Sequence, residues 1–175
     1  MSTTATQIPA GTYGVDAVHS TVGFAVKYNG VANFRSRFGA FDAQLADGVL
    51  TGSAHVSSIE IDDPNFKGHL LSEEFFNVDA TPTVTFRSTD IRIAEDGSAE
   101  VDGELTIRGT TKSVTATGTY SAGADAWGNE RVAFELQTKV DRREFGLNWQ
   151  NALPNGNDSL AWDVVLTVDL QLVKA

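Results

Sequence analysis

The last segment of the chain has the clearest alternation of apolar and polar side chains. From residue 162 to residue 172 every even position is apolar, and the odd positions, with Val165 as the exception, are polar or charged. A period of two places these sets on opposite faces of a β-strand. At about 3.3 Å per residue the segment is roughly 35 Å long, well above the usual strand. The pattern therefore predicts a long strand with one apolar face.

The same alternation recurs along most of the chain. In segment 20–28, for example, Val22, Phe24 and Val26 share one face. Residues 65–76, which follow the start signal Asp62-Asp63-Pro64, form the one predicted helix. Turn signals rich in Gly, Asn and Asp separate the remaining segments. Strands are predicted at 13–16, 20–28, 34–45, 49–61, 83–93, 99–108, 112–120, 131–141 and 161–173.

Many of these predicted strands are long, and each has an apolar face. A closed or nearly closed barrel is favoured because closure removes the sheet edges that such strands would otherwise expose. The predicted fold class is therefore all-β, an antiparallel barrel with one short inserted helix. Residues 1–10 are predicted to be a flexible lead-in, and residues 11–175 a single domain.

The charge balance limits the classes of partner. The formal net charge is −10, which argues against nucleic acid and anionic membrane surfaces as partners. The net charge is an average, so it does not exclude a local basic patch. The absence of cysteine rules out disulfides and thiolate chemistry. No membrane span is predicted. The first ten residues lack the apolar core of a secretory signal, so a cytoplasmic location is expected.

Candidate catalytic residues are few. His19 lies between Asp16 and Ser20, which allows a Ser-His-Asp hypothesis, but such triads are defined by geometry and not by closeness in sequence. The three histidines have no zinc-ligand spacing, and no metal site is predicted. Solvated surface charge is the favoured interpretation of the acidic residues, although two carboxylates that meet in space would escape a sequence argument.

The aromatic residues carry more information. Phenylalanines flank Arg35 and Arg37, Phe75 and Phe76 end the predicted helix, and Phe145, Leu147 and Trp149 alternate before a Gly/Asn loop. One interpretation is that these side chains fill a core. The other is that they line a cavity for one elongated apolar ligand, as bulky residues in a large barrel often do. The residues alone leave both interpretations open.

Six short motifs in order resemble the YceI-like family of polyisoprenoid-binding, lipocalin-like proteins. The resemblance runs from about residue 11 to residue 173. The motifs are YGVDAVHSTVGF at 13–24, FGAF at 38–41, HLLSEEFFNV at 69–78, PTVTF at 82–86, GELTIRG at 103–109 and RREFG at 142–146. Each motif alone is weak, whereas the ordered set is specific.

The resemblance implies an extended eight-stranded antiparallel lipocalin-like barrel that holds an isoprenoid chain or another long amphiphile. An isoprenoid or prenylquinone is then the expected ligand, no further cofactor is expected, and the dimers known in the family suggest a homodimer. The chain departs from the family where Lys67-Gly68 replaces an Arg-Asp pair, which puts a polar contact near the helix in doubt.

The predicted function is binding, storage or transport of such a lipid without catalysis. The apolar alternation selects the tail-binding residues, and a shift by one position would turn a whole strand over. They are Val22, Phe24, Val26, Phe38, Phe41, Phe75, Phe76, Phe86, Leu105, Ile107, Phe134, Leu136, Trp149, Trp162, Val164 and Leu166. His19, Arg142 and Arg143 are predicted as polar groups near an end of the barrel.

Two alternatives remain open at the level of sequence. The first is a hydrolase or isomerase that acts on a lipophilic substrate in the same cavity, which requires a buried His19 that opens into it. The second is a structural domain with a filled core.

The lipid-binding hypothesis carries an expectation about affinity. Because burial of one CH₂ contributes about 0.8 kcal/mol, an apolar slot would bind tightly with weak selectivity for tail length.

Overall fold

The computed structural model describes residues 8–175, and strands account for most of them. The strands are β1 (Thr12–Val15), β2 (Thr21–Tyr28), β3 (Ala32–Arg37), β4 (Phe41–Ala46), β5 (Val49–His55), β6 (Thr83–Ile93), β7 (Ser98–Ile107), β8 (Thr110–Ala124), β9 (Glu130–Asp141) and β10 (Leu160–Lys174). The helix α1 (Pro64–Leu71) lies between β5 and β6. The predicted lead-in at residues 1–10 lies largely outside the described residues.

The strands form a closed antiparallel barrel. The order of neighbours is β1-β4-β5-β6-β7-β8-β9-β10, and β1 pairs with β10 to close the ring of eight strands. β2 and β3 extend the same sheet from β10 as an antiparallel pair. The prediction of an all-β, eight-stranded barrel with one helix is therefore confirmed.

Two of the predicted strands are interrupted. The predicted strand 34–45 is divided into β3 and β4, because Phe38 forms an isolated bridge with Ile59 and the Gly39 amide donates to the carbonyl of Ser58. The predicted strand 49–61 ends at His55, where the 3₁₀ turn Val56–Ser58 begins. The backbone therefore leaves the sheet at this corner and leads into the helix.

Helix α1 is shorter than the predicted segment 65–76. Asp63 caps its first turn, since its carboxylate accepts hydrogen bonds from the amides of Asn65 and Phe66, and Pro64 occupies the first helical position. The helix ends where Ser72 adopts an extended backbone and its hydroxyl donates to the carbonyl of His69. Residues 72–82 then return to β6 as turns, so Phe75 and Phe76 lie outside the helix.

The half of the barrel around β1 is filled by side chains. Leu45 and Leu172 are fully buried there with Tyr13 and Phe134, and the ring centroids of Tyr120 and Phe134 are 5.1 Å apart. Two further clusters of buried residues lie toward α1 and toward the 3₁₀ turn Arg142–Phe145. We call the half around β1 the filled end, and the half that contains α1 and the β2–β3 connection the helix end.

Gly103 allows the ring of Phe86 on β6 to lie close to the backbone of β7. A Cβ at this position would lie 2.4 Å from the ring of Phe86, and β6 shifts its register against β7 between Ser88 and Asp90. The ring of Phe86 therefore covers the backbone of β7 without a clash. No helix among the described residues is long and apolar enough to cross a bilayer.

Candidate ligand-binding cavity

A cavity of about 540 Å³ occupies the helix end of the barrel. This volume lies within the range of about 300–1,000 Å³ that is typical of small-molecule sites. Strands from around the barrel, helix α1 and the segment after the 3₁₀ turn Arg142–Phe145 contribute to its wall, and the side chains that line it are mostly apolar. The interior is thus filled at one end and hollow at the other.

The floor of the cavity is formed by residues that also belong to the filled end. Leu50 and Leu170 line the cavity from below, together with the small side chains of Ala43 and Ala116. Below this layer the buried cluster of the filled end begins. A ligand therefore meets a floor of packed side chains about halfway along the barrel.

The cavity reaches the surface at the helix end. Tyr28 at the end of β2 and Phe66 on α1 both line it, yet they are 54% and 40% exposed. Phe34 also lines the cavity, with its ring 5.4 Å from that of Phe66. We call the gap between the β2–β3 connection and α1 the opening.

Aromatic rings form the wall beside the helix. The ring of Phe24 lies 6.2 Å from that of Phe34 and 6.0 Å from that of Phe38, and Phe38 contacts Phe76 edge-on at 6.4 Å. Such tilted and edge-on pairs are the favourable arrangements of aromatic quadrupoles. The wall is therefore apolar and is held in position by its own ring contacts.

His69 places a polar group at the rim of this wall. Its Nε2 lies 2.6 Å from the carboxylate of Glu74, and its ring packs edge-on against Phe75 and Trp149 at 5.1 and 4.9 Å. The side chain of His69 is 30% exposed. The His69–Glu74 pair therefore links α1 to the residues that follow it, beside the cavity.

Arg142 is a buried cation in the cavity wall, and the protein backbone satisfies it. Its guanidinium donates to the carbonyls of Leu147, Trp149, Leu160 and Ala161 at 2.6 to 3.2 Å. Burial lowers the pKa of Arg142 to about 10, so the group stays charged at neutral pH. Arg142 therefore anchors the segment 147–161 to the barrel.

Arg143 differs from its neighbour, because it is exposed and bridges to Asp141 at 2.6 Å. The two guanidiniums lie over the ring of Trp162, at 4.2 Å for Arg142 and 4.6 Å for Arg143. Trp162 therefore packs against these arginines and does not line the cavity. The predicted alternation fails at this residue because β10 shifts its register against β2 between Leu160 and Val164.

Thirteen of the sixteen predicted tail-binding residues line the cavity. Besides Trp162, the exceptions are Phe41 and Phe134. Phe41 faces inward but packs beside the cluster around Phe38 and Ile59. Phe134 also faces inward and lies in the filled end, where it is fully buried.

His19 lies away from the cavity, which corrects its grouping with the arginines. It sits in the 3₁₀ turn Ala17–His19 on the outside of the filled end, with its side chain 61% exposed. Its Nδ1 is 2.8 Å from Asp16, and the hydroxyl of Ser20 bonds to Gln171 instead. The alternative of a hydrolase or isomerase required a buried His19 that opens into the cavity, and this requirement is not met.

Several lining residues are not among the sixteen predicted tail-binding residues. Phe34 lies four positions before Phe38 and so on the same face of an alternating segment, and Phe145 and Leu147 alternate with Trp149, so both signals were present in the pattern. Phe66 and Leu70 share a face of α1 and both line the cavity. Within residues 8–175 no group of three or more His, Asp or Glu side chains is placed to hold a metal ion.

The family model of the YceI-like domain matches residues 13–172. The chain belongs to the YceI-like family. Among its relatives, a UPF0312 protein of Pseudomonas aeruginosa is 32% identical over 154 residues, which cover 82% of this chain and 80% of the relative. A UPF0312 protein of Vibrio cholerae is 28% identical over 153 residues, which cover 82% and 81%.

Solved structures share the YceI-like fold. The crystal structure of BcnA from Burkholderia cenocepacia superposes with a TM-score of 0.73 at 21% identity, and covers 90% of this chain and 98% of BcnA. A polyisoprenoid-binding domain from Saccharophagus degradans, implicated in plant cell wall breakdown, gives a TM-score of 0.69 at 12% identity, and covers 93% and 98%. At these identities the likeness concerns the fold.

The Lys67-Gly68 pair of this YceI-like chain, where the sequence resemblance put a polar contact in doubt, lies in the middle of α1. No salt bridge among residues 8–175 involves Lys67, whose backbone amide continues the helix by donating to the carbonyl of Asp63. The neighbouring His69 makes the polar contact at this rim through Glu74.

Proposed function

We propose that this protein binds an isoprenoid or a similar long-chain amphiphilic lipid in the cavity, and stores or carries it unchanged. The observation that carries the proposal is the cavity itself. It is apolar, has a volume of about 540 Å³, has a floor of packed side chains and reaches the surface at the helix end. A tail with a polar head matches a slot with one closed end and one open end.

The energetics agree with this ligand class. Each buried CH₂ contributes about 0.8 kcal/mol before the costs of ordering and association are subtracted. The guanidinium of Arg142 already donates four hydrogen bonds to backbone carbonyls, so an apolar tail beside it would not take away its polar partners. The relation to a polyisoprenoid-binding domain of the same fold supports the same class.

The proposed orientation places the tail on the floor and the head at the opening. Polar groups near the opening are the phenol of Tyr28, the imidazole of His69 and the carboxylate of Asp63, all of which line the cavity. Asp63 is engaged as the cap of α1. Weak head-group selectivity is therefore expected, because these groups are few. The cytoplasmic location and the homodimer stay predictions from the sequence.

Native mass spectrometry of the freshly purified protein tests the proposal, followed by organic extraction and titration with a short-chain prenylquinone. We expect a bound long-chain lipid, or stoichiometric uptake of the added quinone. A clean mass of the empty protein with no uptake would falsify the proposal.

A matched pair of variants tests the location of the ligand. Leu166 lines the cavity, whereas Val165, its neighbour on β10, does not. Leu166→Trp should reduce uptake of prenylquinone at least tenfold because the indole fills the slot, and Val165→Trp should leave uptake unchanged. Equal effects of both variants on uptake would place the ligand elsewhere.

A further inference from the structure

Exposed apolar side chains gather around the opening. Val31 at the tip of the β2–β3 connection is 83% exposed, and Tyr28 and Phe66, which line the cavity, are 54% and 40% exposed. The other large apolar side chains that are strongly exposed among the described residues are Val18 and Trp127. These two lie at the filled end, near the Arg131 that bonds to both Asp16 and Asp125.

The hairpin that bears this tip is basic in an acidic protein. Between Asp16 and Asp42 the chain carries Lys27, Arg35 and Arg37 and no acidic residue, whereas the whole chain has a net charge of −10. On β2 and β3, Phe24, Val26 and Phe34 line the cavity, so Lys27 and Arg35, at the alternate positions, face outward.

These two basic side chains and Lys67 on α1 are without a salt bridge within residues 8–175. Among the nearby acids, Glu60 pairs with Arg37 and Asp63 caps the helix. Acidic side chains also lie at this rim: Asp62 is exposed, Asp158 precedes the Ser159 whose carbonyl accepts a hydrogen bond from the Asn29 amide, and Glu74 bonds to His69. The excess of positive charge therefore belongs to the β2–β3 hairpin.

We propose that the opening docks on the surface of an anionic lipid bilayer. Tyr28, Val31 and Phe66 would enter the interface between head groups and acyl chains, and Lys27, Arg35 and Lys67 would lie near the lipid phosphates. Amphipathic surfaces of this kind bind by apolar insertion together with attraction to anionic lipids. The proposal rests on the proposed function, since docking would let a lipid pass between bilayer and cavity without crossing water.

A bilayer fits this surface better than a second copy of the chain. A two-fold contact would bring the same patch of both subunits together, which places Lys27 and Arg35 of one hairpin close to those of the other. A bilayer with anionic lipids supplies the opposite charge and an apolar layer at once. The apolar side chains and the basic side chains then have separate partners at different depths.

Flotation with lipid vesicles tests the proposal on the full-length protein. We expect binding to vesicles that contain phosphatidylglycerol, much weaker binding to pure phosphatidylcholine, and loss of binding at high salt. Val31→Asp should weaken binding at least tenfold. The double variant Lys27→Glu with Arg35→Glu should weaken it at least 25-fold, because each basic residue near an anionic surface contributes about fivefold.

Trp127→Asp is the matched control, because Trp127 is as exposed as Val31 but lies at the filled end. It should bind vesicles like the wild type. The docking proposal is overturned if the wild type does not float with anionic vesicles, if Trp127→Asp loses as much binding as Val31→Asp, or if Val31→Asp instead dissociates a dimer seen by light scattering.

Uptake of prenylquinone from solution separates this proposal from the function on which it rests. Val31→Asp should keep that uptake, because Val31 does not line the cavity. Vesicle binding by a wild type that takes up no quinone would overturn the proposed function and support docking alone. Quinone uptake without vesicle binding would overturn docking and leave the proposed function standing.

Discussion

At the scale of single residues, Arg142 and Arg143 show where sequence information ends. The two are adjacent and chemically identical, yet Arg142 is buried among four carbonyls and Arg143 is exposed beside Asp141. The motif RREFG at 142–146 contains both arginines, but only the path of the segment 147–161 decides which of the two is buried. Sequence patterns report the face of a side chain and not the distant backbone that meets it.

Arg142→Met should therefore destabilise the protein strongly. Loss of the guanidinium leaves carbonyls without donors, and each unsatisfied buried group costs about 1–3 kcal/mol, so we expect the free energy of unfolding to fall by about 3 kcal/mol or more. Urea unfolding with an unchanged m-value measures this. Arg143→Met, the matched control, should cost less than about 1 kcal/mol, since exposed ion pairs contribute little. Similar losses for both variants would contradict the anchoring role of Arg142.

At the scale of elements, the sequence predicts strands well and their ends poorly. The predicted strand 83–93 has the bounds of β6, because Pro82 and the turn at Asp96-Gly97 delimit it, although the alternation changes phase at the bulge between Ser88 and Asp90. The break between β3 and β4 was missed, since it depends on hydrogen bonds between Gly39 and Ser58 and between Glu60 and Arg37. Such contacts join segments whose mutual position is set by the closed barrel.

An ion-pair network ties the elements of the filled end together. Arg131 on β9 bonds to Asp16, which precedes the 3₁₀ turn Ala17–His19, and to Asp125 in the β8–β9 connection, at 2.9 and 3.0 Å. Hydrogen bonds from Arg131 and then His19 lower the pKa of Asp16 to about 2, and the bond from Arg131 lowers the pKa of Asp125 to about 2.

This network should make the stability of the protein depend on pH in the acidic range. Since both carboxyl pKa values are lower in the folded protein than their ordinary value of 3.8, the stabilisation is complete above about pH 4–5 and is lost as the pH falls toward 2. Arg131→Met should have a lower Tm at neutral pH and a shallower decline of Tm between pH 4 and pH 2 than the wild type. Thermal unfolding by circular dichroism across this range measures both. Parallel curves for the two proteins would contradict the coupling.

At the scale of the whole molecule, the filled-core and cavity interpretations each describe one half of the barrel. The sequence could not show which half of the barrel is filled and which is hollow. Phe134 and Leu136 follow the same alternation on β9, yet Phe134 is packed in the filled end and Leu136 also lines the cavity. Alternation gives the inward face. Whether inward side chains meet across the barrel depends on its local width and on the position of α1.

The size of the cavity sets an expected dependence on tail length. At about 30 Å³ for a group the size of a water molecule, 540 Å³ holds roughly 18 such groups, or between three and four isoprene units. Affinity should rise from two to about four units and then level off, since longer tails protrude through the opening. Competition between prenyl alcohols of graded length for a bound fluorescent lipid measures this. An affinity that keeps rising well beyond four units would contradict the fixed floor.

The floor has a consequence for how substitutions can change the depth of the cavity. Leu50, Leu170, Ala43 and Ala116 line the cavity and also belong to the buried cluster of the filled end, so the depth of the cavity is set by the size of these side chains and not by the length of the strands. Point substitutions at these positions can therefore move the floor of the cavity along the barrel. Smaller residues at Leu50 and Leu170 should deepen the cavity, and larger residues at Ala43 and Ala116 should make it shallower.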